Sequence, residues 1–86
     1  MTFTAQDIAK SLEDDGMAIA AIVQLWRQDR FHKQHELRGN QLAHTAACTD
    51  AGFSSLTLKE TKEAREIALG HADQLAEMMT QHLGEA

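Results

Sequence analysis

Apolar positions recur along this chain at intervals of three and four, and strand-like alternation is absent throughout. The first helix is expected over about residues 4–14. Thr4 and Asp7 have the spacing of a capping box, with Asp replacing the usual Glu, and Phe3 and Ile8 have hydrophobic-staple spacing. Ile8 and Leu12 form a narrow apolar stripe, and Asp14-Asp15-Gly16 closes the helix, with Asp15 as a cap for the next.

A second helix is expected over about 17–38. Ile19, Ile22, Val23, Trp26, Arg30, Lys33 and Leu37 fall on one face, apolar at both ends and cationic in the middle. Such a helix spans roughly 33 Å. Gly39-Asn40 has the pattern of a C-cap followed by a new N-cap. Uninterrupted helix is the alternative, since one Gly costs only about 1 kcal/mol. A shorter helix over 41–51 carries Leu42, Ala43, Ala46, Ala47 and Cys48 and ends at Gly52, after which Phe53 and Leu56 plug the core from a loop.

The last helix is expected over 57–83. Thr57 and Glu60 form a full capping box. Ala64, Ile67, Ala68, His71, Leu75, Met78, Met79 and His82 share one broad face, and Lys59, Lys62, Glu66 and Asp73 the other. Gly70 inside this helix marks the close approach of another helix, such as one at a dimer seam. The pattern as a whole predicts a single all-α domain, a three- to four-helix bundle built on a long antiparallel helical hairpin. Its inner faces are rich in Ala and only 5% of residues are aromatic, so a second copy is expected to complete the core as a homodimer.

Charge changes this picture at one place. The 86-residue chain carries a formal net charge of −5, yet residues 27–38 carry +2. The belt WRQDRFHKQHELR, Trp26 to Arg38, holds four of the eight Lys/Arg, two of the five His and the only Trp. It reads as a contact surface, with Trp26 and Phe31 as apolar anchors and Arg27, Arg30, Lys33 and Arg38 around them. The plainer reading is a solvated helix face, with Asp29 and Lys33 paired at i, i+4. Arg30 and Lys33 interrupt the core-facing stripe, which places the interface there.

Nucleic acid is an unfavourable partner for an acidic chain, because phosphate contacts supply most non-specific affinity. A helix-turn-helix around Gly39-Asn40 fails because QLAHTAACTDA has no Lys or Arg to read base edges. A regulator that binds nucleic acid through the belt is therefore the weakest alternative. The apolar run Met17 to Val23 is too short to span a bilayer, and the N-terminal stretch lacks the features of a signal peptide. The single Cys favours a reducing, cytoplasmic compartment.

The histidines offer the remaining chemistry. His44 and Cys48 are i, i+4, and His71 sits mid-stripe on the last helix, so an antiparallel hairpin would bring the three together as metal ligands. His32–His35 and His32–Glu36 also have one-face spacing. Against a metal, neither HExxH, CxxC nor Glu-x-x-His occurs. Cys48 has no strand-to-helix elbow around it to make it a nucleophile and is expected as a small buried thiol. No glycine motif for phosphate is present. These absences lead to the expectation of a non-enzymatic protein, without cofactor, that acts by binding another protein: a regulator, inhibitor, adaptor or assembly factor. An inward-facing His71 is expected to lower stability on acidification.

Overall fold

A computed structural model describes residues 3–48 and 56–84, and the side chains of 82–84 lie outside that description, as do Phe53, Gly52 and Asp50. Among the described residues there are five helices and no strand: α1 (Ala5–Ser11), α2 (Asp15–Arg27), α3 (Lys33–Ala47), α4 (Leu58–Leu69) and α5 (Ala72–Gly84). The all-α expectation holds. In place of one long hairpin, each of the two expected long helices is divided.

The first division falls inside the belt. α2 ends in a complete Schellman motif: Arg30 N–H bonds the Leu25 carbonyl at 2.9 Å and Asp29 N–H bonds that of Trp26 at 3.1 Å. Asp29 takes the left-handed position at φ 53°, where Gly is the usual residue. Phe31 and an extended His32 (φ −62°, ψ 149°) then lead into α3. α3 runs straight through Gly39 and Asn40, so the cap signal there is overridden. The Phe31 ring lies over Gly39, where a Cβ would stand 2.6 Å from its nearest ring carbon.

The second division is milder. Gly70 stays right-handed (φ −66°, ψ −14°), and His71 N–H bonds Ala68 at 3.0 Å, tightening the turn to an i−3 bond. His35 of α3 makes the close approach to Gly70 foreseen for a neighbouring helix, 3.5 Å from the position a Cβ would take. This neighbour belongs to the same chain.

Both capping boxes form, Thr4–Asp7 and Thr57–Glu60, while α2 is capped by Asp14 and not by Asp15. α2 packs centrally against α3 and α4, and α1 packs against α5. The largest wholly buried side chains are Ile22, Leu25, Leu42 and His71, surrounded by Ala18, Ala43, Ala46, Ala64 and Ala68. All five of these alanines are at most 1% exposed, so the small residues of the sequence lie inside the core. Leu56 is half-buried against it.

Arg65 of α4 fastens the α1–α2 corner. Its guanidinium donates to the carbonyls of Leu12 at 2.8 Å and Glu13 at 3.4 Å and pairs with the Asp15 carboxylate. At the other end Phe3 N–H donates to Thr80 Oγ1 at 2.9 Å, tying the first described residue to α5.

Candidate functional site

The division at Asp29 disperses the belt. Arg27 is the exposed last residue of α2, Arg30 is half-buried in the link, and Lys33 is the exposed first residue of α3. The stripe on which Arg30 and Lys33 seemed to interrupt a core face does not exist, because the helix stops between Trp26 and Lys33. Leu37, expected to face the core, is 75% exposed for the same reason: α3 starts with its own phase. Half-buried Phe31 packs onto Gly39 and meets the His71 ring edge-on at 5.6 Å, so it contributes to holding the fold. Arg38 is engaged by Glu63 on α4, Nε to Oε2 2.7 Å. Their hydrogen bond, more than their charge, holds the Glu63 carboxyl below and the Arg38 guanidinium above their ordinary values.

What the structure does assemble is a smaller face. Half-buried Trp26 meets the His44 ring edge-on at 5.9 Å. Together with Leu37, Asn40, Gln41 and Thr45 they line a shallow recess between α2 and α3. Lys33, Leu37, Gln41 and His44 follow one exposed stripe of α3. The stripe begins with a cation and continues through an exposed leucine to an aromatic edge. Arg27, next to Trp26, adds a second cation from α2.

The candidate ligands His44, Cys48 and His71 do not converge. Cys48, expected buried, is exposed where α3 ends, and its Sγ lies 3.6 Å from His44 Nε2. His71 belongs to a different group, in which His32 stacks on it at 4.3 Å between centroids and His35 lies tilted at 5.2 Å. Among the described residues no three His, Cys, Asp or Glu are arranged to hold a metal ion.

His71 is 1% exposed and both its ring nitrogens are committed. Nδ1 lies 2.8 Å from the Ile67 carbonyl and therefore carries the proton, while Nε2 accepts the His32 N–H at 2.9 Å. His32 is the N-cap residue of α3 and provides no side-chain cap of its own. A side chain from the α4–α5 bend thus satisfies the backbone of the α2–α3 bend, and the two helix divisions are one joint.

The joint requires a neutral ring. Burial lowers the His71 pKa first, the Ile67 carbonyl opposes this, and His32 and His35 add to the lowering. A proton on Nε2 would face an N–H donor. Nearby, His35 Nδ1 is buried without a hydrogen-bond partner, as is Gln74 Oε1.

Sequence reasoning placed His71 inward but missed its partner, which is a backbone N–H and leaves no mark in residue types. No family model, curated protein or solved structure matches the chain.

Proposed function

We propose that this is a non-enzymatic protein that acts by binding another protein, through the face of Trp26, Leu37 and His44 with Arg27, Arg30 and Lys33 at its edge. The observation that carries this reading is Leu37, a large apolar side chain 75% exposed, which lines one recess with half-buried Trp26 and follows Lys33 on the same stripe of α3. Aromatic and apolar anchors ringed by cations suit a partner with an apolar ridge and acidic surroundings. The mechanism is occlusion of that partner surface, the role of a regulator, inhibitor or adaptor. No helix among the described residues is long and apolar enough to cross a membrane. The exposed, unpaired Cys48 suits a reducing compartment such as the cytoplasm.

The test is affinity capture from native lysate with wild type, Leu37→Glu, and the double variant Arg27→Glu/Lys33→Glu. All three side chains are exposed, so melting temperatures should stay within about 0.5 kcal/mol equivalent of wild type. The expected result is loss of the same partner from both variants and its retention by Lys59→Glu on α4. Recovery of an unchanged set by Leu37→Glu would show that this face is not the contact surface.

A further inference from the structure

The two sides of the His71 joint do not respond alike to a charge. On one side Nδ1–H donates to the Ile67 carbonyl, in the last turn of α4. On the other, Nε2 accepts the His32 N–H at the start of α3. The carbonyl end of a helix favours a cation and the amide end repels one. A second proton on the ring therefore leaves the bond to α4 intact and sets donor against donor at α3.

The surroundings add to this asymmetry. His32 stacks on His71 and His35 lies tilted against it, and both resist a charge on the ring. Both stand on the α3 side. The ion pairs among the described residues, Arg38–Glu63 and Arg65–Asp15, bring no carboxylate to His71.

α3 is also the side that can yield. From Lys33 to Arg38 none of its residues is buried, and burial begins at Gly39. Its N-cap residue supplies no side-chain cap. Around the α4–α5 bend, by contrast, Ile67, Ala68, Leu75 and Ala76 are buried in the core. A turn that buries little apolar surface opens at low cost. Arg38, held by Glu63, limits the opening to the turn before it. That turn leads into Leu37, which lines the recess with Trp26.

We propose that the joint is an acid-operated latch. A second proton on His71 frees the His32 N–H, the first turn of α3 opens, and the face of Trp26, Leu37 and Lys33 comes apart while the core stays closed. The latch follows from the fold alone; its control of partner binding rests on the reading of that face as a contact surface. The closed joint holds a neutral ring, and the opened chain takes up the proton at the ordinary imidazole value of 6.5. Closure is therefore complete above about pH 6.5 and is lost as pH falls below it.

The test is amide hydrogen exchange of the intact protein, expressed as protection factors, at about pH 7.5 and about pH 5.5. Leu37 should be protected about tenfold or more below Ala43, the mark of an opening smaller than global unfolding. Its protection should fall by about fivefold or more between the two pH values. In His71→Gln, which keeps His32, His35 and His44, Leu37 should not change with pH. Equal protection of Leu37 and Ala43 would mean that α3 opens only with the whole fold. A low protection of Leu37 independent of pH would mean that the turn frays without the proton. Either result overturns the latch, as does the same fall in His71→Gln. The comparison within wild type decides even if that variant does not fold. A partner captured through Leu37 should bind about fivefold more weakly at the lower pH, and equal binding at both would overturn the control of binding. The exchange measurement needs no partner, so failure of the capture experiment and failure of the latch are read separately.

Discussion

Replacing His71 with Ala should destabilise the protein by about 2–5 kcal/mol at pH near 8, measurable as a fall in the denaturant midpoint at unchanged m-value. Two costs combine. The ring is 1% exposed and fills space among Phe31, His32 and His35, so its removal leaves a cavity. The His32 N–H loses its acceptor at the start of α3, and an unsatisfied backbone donor costs about 1–3 kcal/mol by itself. His71→Gln is the informative companion. Its amide oxygen reaches the position of Nε2 and takes no proton, so it should lose less than Ala does. Equal losses in Gln and Ala would mean that the hydrogen bond to His32 contributes little and the ring only fills volume.

The second large effect is overpacking at Gly39. Three Phe31 ring carbons lie 2.6–2.8 Å from the position a Cβ would occupy, so Gly39→Val should cost about 1–3 kcal/mol. Helix propensity works in the opposite direction, since Gly is about 1 kcal/mol worse than Ala inside a helix. The sign of Gly39→Ala therefore depends on Phe31. In the native chain it should destabilise, and in a Phe31→Ala background it should stabilise by about 1 kcal/mol. Additive effects across that double-mutant cycle would show that the ring does not rest on Gly39.

Both effects explain why the sequence was legible in some places and not in others. The capping boxes at Thr4 and Thr57 are local chemistry, complete within four residues, and both form as read. The inward faces of the last helix, Ala64, Ile67, Ala68, His71, Leu75 and Met78, follow from 3.6-residue periodicity and are buried.

The division of α2 from α3 escaped because its stop signal is Asp29 in a position where Gly is the usual mark. The Gly that was present, Gly39, is there for the Phe31 ring and not for the backbone. Once the helix stops, periodicity cannot be carried across, which is why Leu37 was assigned to the core and stands in solvent. The belt fails as a single patch for the same reason. Its charge count is real, but Arg38 pairs with Glu63 on α4 and half-buried Phe31 packs against His71. The candidate ligands His44, Cys48 and His71 needed a straight hairpin to converge, and two bends separate them.

The two bends form one joint, closed by a neutral His71. Burial lowers its pKa in the folded state below the ordinary imidazole value of 6.5. Between those two values the unfolded chain binds the extra proton, so stability is complete above about pH 6.5 and is lost as pH falls below it. Carboxylates enter lower: the Glu63 carboxyl, held below 4.5 by Arg38, contributes stability that disappears only as pH falls through its folded value. The most direct test is the melting temperature of wild type and His71→Gln at closely spaced values from about pH 8 to pH 5. Wild type should fall steadily below about pH 6.5, and His71→Gln should fall distinctly less over the same interval. Parallel curves, or a wild-type curve flat to pH 5, would contradict the joint.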